Sequence, residues 1–152
     1  MKIIIRKAER KDIPAINALT KEMHRYLGKI VGLKFKDKEL KDEEIKPSEL
    51  KGILAAEDKE KGKVVGYLIF SPKTEYDEWY GKHVYLNEIA VSKKYRGKGI
   101  GKNLMNSFLK ICKKKRASIK VDTLIKNKRT IEFYKKFGFK PFMVDFIRRE
   151  LF

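Results

Sequence analysis

Arg96-Gly97-Lys98-Gly99-Ile100-Gly101 decides how the rest of this 152-residue sequence is read. Before it, His83 to Val91 is dense in Val, Tyr, Leu and Ile, the composition of a strand. After it, Lys102 to Arg116 carries Leu104, Met105, Phe108, Leu109, Ile111 and Cys112 at helical spacing. The pattern is a strand, a basic glycine loop and an amphipathic helix. Backbone N–H groups at a helix start, together with the helix dipole, attract the oxygens of a phosphate. Glycines let the main chain turn and approach such a group without a Cβ clash.

Two well-known phosphate loops do not fit. A P-loop needs Gly four residues before Gly-Lys-Ser/Thr. Here Arg96 stands at that first glycine, and Asn103 follows Gly101-Lys102. The dinucleotide fingerprint needs G-x-G-x-x-G. Gly97 and Gly99 supply its first half, but Lys102 stands at the third glycine. Asp122 lies near the end of the next strand, as a ribose-binding acid would, yet no second βαβ half follows.

Length predicts one domain over residues 1–152, with enough chain for a real core. Hydrophobic residues make up 42%, an ordinary share for a soluble globule. The apolar run Val64 to Phe70 is far too short to span a bilayer, so no membrane association is expected. Met1-Lys2-Ile3-Ile4-Ile5-Arg6 has too little apolar chain for a signal peptide, and a cytoplasmic protein is expected. Cys112 is the only cysteine, and the two histidines, His24 and His83, offer little to zinc, so no metal is expected. The net charge is +18. Residues 1–91 hold 19 Lys+Arg against 16 Asp+Glu, and residues 92–152 hold 19 against 4. The basic half is the half with the glycine loop, which suits a polyanionic ligand. A solvated, lysine-rich surface of the kind found in heat-adapted proteins fits equally well.

Along the chain, Lys2 to Ala8 predicts a strand. Asp12 is expected to cap a helix, with Pro14 in its first turn and Ile13, Ile16, Leu19, Met23 and Leu27 near one face. A short helix is expected around Lys38 to Ile45. Ile53 to Glu57 and Lys63 to Phe70 predict a hairpin. Ser71 to Lys82 is expected to be a loop. Ser118 to Leu124 predicts a strand, and Asn127 to Phe137 a helix stopped by Gly138. Phe139 to Phe142 and Val144 to Leu151 predict a closing hairpin. The fold class is α/β in the broad sense, a mixed layer fold.

The loop resembles the acyl-CoA site of the GNAT superfamily of N-acetyltransferases. That family's pattern is Arg/Gln-x-x-Gly-x-Gly/Ala after a strand and opening a helix, and Arg96, Gly99 and Gly101 match it. The approach Ile89-Ala90-Val91-Ser92-Lys93-Lys94-Tyr95 is similar to the family's, as is Asn127 followed by Phe133-Tyr134-Lys135-Lys136-Phe137-Gly138-Phe139. The resemblance implies the GNAT fold, with a largely antiparallel central sheet flanked by helices, and acetyl-CoA as co-substrate. It implies cofactor contacts at Ile89, Ala90, Val91 and Asn127, where the pantetheine arm pairs like an added strand. At the loop, the amides from Arg96 through Gly97, Lys98, Gly99, Ile100 and Gly101 to Lys102 would hold phosphate, with the Arg96 and Lys98 side chains beside them. Tyr134 stands where many members carry a tyrosine that protonates the departing CoA sulfur. Glu88, on the central strand, and Asp122, on the next, are the two candidate bases, and a water chain with no single base is the third reading.

Acyl transfer to an amine needs a held cofactor, a donor for the oxyanion, a base for the amine and an acid for the thiolate. Each candidate also has a plainer role. Asn127 could cap a helix, Tyr134 could be core, and either carboxylate could pair with a nearby cation. A lysine amine, with pKa about 10.4, is far less often neutral at pH 7 than an α-amine near 7.8. A weakly equipped site therefore leans toward α-amines. Acceptor-side candidates are Tyr26, Glu39, Glu43, Glu44, Tyr76, Asp77, Glu78, Trp79 and Tyr80. The acceptor is a primary amine: a protein N-terminus, a lysine or a small amine. A homodimer stays open. One alternative is a CoA-binding module of this fold that no longer catalyses. A basic nucleic-acid binder is another, though the chain has no recognisable reader motif, so nucleic acid is not the expected partner.

Overall fold

A computed structural model describes residues 1–34 and 44–149. By its internal contacts the chain falls into two compact units, residues 1–122 and residues 123 onward. The helix expected around Lys38 to Ile45 falls mostly outside the described residues, as do Glu39 and Glu43.

The first unit holds strands β1 (Ile3–Lys7), β2 (Ile53–Asp58), β3 (Lys63–Phe70), β4 (Glu75–Asp77), β5 (Gly81–Val91) and β6 (Ser118–Val121), with helices α1 (Ile13–Val31) and α2 (Ile100–Lys115). The sheet runs β1-β2-β3-β5-β4, with β6 also on β5. Every pair is antiparallel except β5 with β6. The largely antiparallel sheet with flanking helices is the expected one.

Successive residues of β3 point to opposite faces. Tyr67 joins Ile16, Ile53, Ala55, Ala15 and Leu19 in the cluster under α1. Phe70 meets Phe108 of α2 with ring centroids 5.2 Å apart. The two helices therefore cover opposite faces of the sheet. Ile16, Leu104 and Phe108 are fully buried, each contributing about 1.5–3 kcal/mol of apolar burial. At its end α1 is closed by Gly32 at φ +77°, with Leu33 N–H donating to Gly28 O at 2.7 Å.

Three local expectations are corrected. Asp12 precedes α1 but its side chain does not cap it. Its carboxylate faces Arg6 instead, at 2.7 and 2.9 Å, and accepts Glu9 N–H at 2.8 Å. The bidentate charged pair outcompetes a single cap bond. Residues 71–82 are not all loop. They contain β4 and the start of β5, because Asp77 Oδ1 accepts the N–H groups of Trp79 and Tyr80 and Gly81 turns at φ +63°. The expected closing hairpin does not form among the described residues, since residues 139–149 contain no strand. Apolar residues adopt strand only where a pleated face is buried. Here Phe142, Val144, Phe146 and Ile147 are 63–94% exposed.

Arg6 also donates through Nε to Glu57 at 2.6 Å. Hydrogen bonding to Arg6 holds both Asp12 and Glu57 below their usual carboxylate range. Their contribution to stability is therefore full above about pH 5 and is lost as pH falls through about 4 toward the folded values. Arg6→Ala should cost about 2 kcal/mol, leaving the Asp12 and Glu57 carboxylates without the guanidinium they share. The melting temperature at pH 7 should drop by about 4–8 °C, and the acid loss between pH 5 and 3 should flatten. Melting curves across pH check both.

Candidate functional site

β5 has three partners, and the places where they stop define the site. β3 pairs along Leu86–Val91, β4 along Gly81–His83, and β6 along His83–Leu86. β4 and β6 share His83, and β3 and β6 share Leu86, so β6 holds the edge opposite the other two. It stops at Leu86. From Asn87 to Val91 that edge of β5 has no strand beside it among the described residues. Open edge groups of this kind accept an extended ligand as an added strand.

A bulge sits where β6 stops. Ile69 lies opposite Glu88 but Phe70 lies opposite Leu86, so Asn87 is an extra residue in β5. Phe70 and Leu86 face α2. Ile69 and Glu88 face α1, with Tyr67. Without the extra residue, strict alternation from Val84 and Leu86 would send Glu88 into the α2 core. The bulge reverses the parity beyond it and aims Glu88 at α1.

There Glu88 meets a polar group assembled from three elements. Tyr67 O–H donates to Glu88 Oε1 at 2.7 Å. The Thr20 hydroxyl lies 3.1 Å from Tyr67 Oη, 3.4 Å from the same carboxylate oxygen and 3.0 Å from Ile16 O. His24 Nε2 stands 3.4 Å from Oε2, on the outer side. Tyr67 is fully buried, and burial followed by the Glu88 charge pushes its phenol well above its usual range. It remains a donor. Glu88 keeps 19% of its side chain exposed, so the carboxylate is held by protein and reached by solvent. Sequence reading missed Thr20, Tyr67 and His24 as its partners. The available signal was Thr20 itself, a polar residue within the apolar stripe of Ile13, Ile16, Leu19 and Met23.

Past β5 the chain enters the glycine loop. Tyr95 is buried and donates to Asp58 Oδ2 at 3.0 Å, tying the loop to the end of β2. Lys98 and Lys61 lie over the Tyr95 ring at 5.2 and 5.7 Å. Arg96 turns back, its Nε donating to Val91 O at 3.1 Å and its guanidinium lying 4.0 Å from Glu22 and over the Tyr26 ring. It thus braces the loop against β5 and α1. Gly97 and Gly99 have φ of +76° and +79°. Gly99 is the N-cap of α2, and the first bond back to it is donated by Asn103 at 3.0 Å. The amides of Ile100, Gly101 and Lys102 precede that bond, as at any helix start. A Cβ at Gly97 or Gly99 would meet nothing within 4 Å. Open space, free amides and exposed Lys98 and Lys102 fit the phosphates of an acyl-CoA.

Asp122 follows β6, is exposed, and accepts Tyr85 O–H at 2.8 Å. Burial and that carboxylate push the Tyr85 phenol up to about 12. Lys120 lies over the Tyr80 and Tyr85 rings at 4.8 and 5.7 Å. Tyr76 and Trp79 are 80% and 67% exposed beside the β4–β5 turn. Cys112 is buried within α2, and burial pushes its thiol up to about 11. In the second unit, helix α3 (Lys128–Lys136) follows Asn127, which is buried and makes no side-chain cap. Tyr134 is 7% exposed and lies against the rings of Phe133 and Phe139 at 5.7 and 5.4 Å.

A domain model described as the acetyltransferase (GNAT) family matches residues 15–139. This chain belongs to the GNAT family. It is 34% identical over 88 residues to the thialysine N-epsilon-acetyltransferase of Bos taurus, covering 57% of this chain and 51% of that one. The chain thus spans about half the length of the curated relatives it matches. A mutant of the BH1408 protein of Bacillus halodurans superposes with a TM-score of 0.80 at 24% identity, over 97% of this chain and 99% of that one. The PaiA N-acetyltransferase of Thermoplasma acidophilum, solved with coenzyme A, superposes with a TM-score of 0.73 at 20% identity, over 92% and 91%. These likenesses establish the GNAT fold. No helix among the described residues is long and apolar enough to cross a membrane.

Proposed function

We propose that this GNAT chain moves an acetyl group from acetyl-CoA to a primary amine by direct attack, with Glu88 as the base. One observation carries this: the open edge of β5 runs into an amide-lined loop, and the same strand aims a held, solvent-reached carboxylate at α1. The coenzyme A bound by PaiA and the amine acceptor in the name of the Bos taurus relative support it.

In this proposal the loop amides of residues 97–102 and nearby lysines bind the phosphates. Ile89 to Val91 receive the pantetheine arm along the open edge. The cofactor, when bound, supplies the thioester carbonyl that the amine attacks. Glu88 takes the amine proton. It is favoured over Asp122 because three residues position it, whereas Asp122 is exposed and held by Tyr85. A positioned base also serves alkyl amines such as lysine, which the weak-base argument had disfavoured. Cys112, buried and with its thiol pushed up, gives no support to an acyl-enzyme.

Calorimetric titration with acetyl-CoA, CoA and NAD in parallel tests the binding step. Mass detection of product from small amines, lysine peptides and N-terminal peptides tests transfer. Binding of the CoA species alone, with acetylated product, is expected. No CoA binding by folded protein overturns the proposal. Binding with no transfer to any amine favours a module that no longer catalyses.

Tyr134 is assigned the acid that protonates the leaving thiolate. Tyr134→Phe should lower kcat about tenfold with acetyl-CoA affinity unchanged. Unchanged turnover removes Tyr134 from the mechanism.

A further inference from the structure

Glu88 must return its proton before the next turnover, either directly to water at its exposed side or through a side chain that touches it. Thr20 does not titrate near neutral pH. Tyr67 is fully buried and held protonated. His24 faces the other carboxylate oxygen at 3.4 Å and keeps 23% of its side chain exposed. Imidazole is the side chain whose ordinary pKa, about 6.5, lets it take and release a proton near neutrality. Thr20 and His24 are four apart on α1 and so share one face above β5.

We propose that His24 is the proton outlet of Glu88, relaying each proton taken from the amine to solvent. The proposal rests on Glu88 being the base. The ammonium of the acceptor gives a proton to the Glu88 carboxylate, leaving neutral amine and a carboxylic acid. That acid gives its proton to Nε2 of neutral His24, restoring the carboxylate and forming imidazolium. The imidazolium releases the proton to water or buffer. No bond other than N–H and O–H changes, and no other reactant is needed. His24 is thus a positioning and relay residue, not one that touches the acetyl group.

The charged neighbours are arranged for this. From β5 the pair is faced by Glu88 itself, and from β3 by Tyr67. On α1, Glu22 lies 4.0 Å from Arg96, and Arg25 lines a cleft with Asn17, Lys21 and Glu44.

The test compares His24→Ala and His24→Gln with the unaltered chain, using an alkyl amine of pKa about 10.4, so that the acceptor does not titrate in the range. Both variants should fold, since His24 is on the partly exposed side of α1. Each should lose about five- to tenfold in kcat at pH 7 with the acetyl-CoA Kd unchanged. An inflection in the rate profile of the unaltered chain should be absent from both variants. Added imidazole should restore turnover of His24→Ala several-fold and leave His24→Gln unaffected. An unaltered pH profile with no imidazole response overturns the relay. Glu88→Gln, run alongside, separates the two failures. If it too is fully active, the base assignment falls and the relay with it. If it is impaired while His24→Ala is normal, the relay alone falls.

Discussion

Glu88→Gln should lower kcat/KM about a hundredfold, the usual worth of a positioned base, while acetyl-CoA affinity stays within about twofold. The amide has the shape of the carboxylate, so Tyr67 still has an oxygen to donate to and the core under α1 keeps its volume. What is lost is the capacity to take a proton. The loss should be larger for an alkyl amine than for an α-amine, because about 2.6 pKa units separate the two ammonium groups. Steady-state rates on both acceptors, with binding measured separately, check it. A rate on the alkyl amine within threefold of the unaltered chain would exclude Glu88 as base. If Asp122→Asn instead takes the larger loss, the two carboxylates exchange roles.

Gly99→Val should abolish measurable CoA binding, a loss of at least a hundredfold. Gly99 sits at φ +79°, a region where a β-branched residue is a strong outlier costing about 1–3 kcal/mol. No neighbouring atom lies within 4 Å of an added Cβ, so the effect comes from the backbone and from intrusion into the ligand's space, not from a clash within the protein. The chain can relieve the strain only by rotating the peptides that open α2. Those are the peptides proposed to face phosphate. Gly32→Val supplies the control. Its φ is +77°, its surroundings are equally open, and it closes α1. It should lower stability by a similar amount and leave CoA binding intact. If both variants bind, the loop is not the phosphate site. If both fail, strain alone explains the loss.

The sequence by itself determined the parts that depend on neighbouring residues. The glycine loop was legible because positive φ at two nearby positions requires glycine, whatever the rest of the fold does. The strand before it followed from its composition, and the helix after it from the spacing of its apolar residues. Family membership followed from two motifs at fixed spacing, since a loop that presents amides at a helix start leaves little freedom in residue type. The tertiary structure alone decided which side chains those elements bring together. Glu88 faces α1 because Asn87 bulges from β5, and strict alternation from Leu86 gives the opposite face. Arg96, in the motif, points back to Val91, and its reach to Glu22 and Tyr26 depends on where α1 crosses. Asp12 reads as a cap until Arg6 on β1 is seen to claim it, and the segment through Phe142, Val144, Phe146 and Ile147 reads as strand until those side chains are seen to be exposed. The group around Glu88 joins residues from α1, β3 and β5, the hydroxyl of Thr20 being 68 positions away in sequence. Contacts at that separation have no periodicity, because packing sets them and local geometry does not.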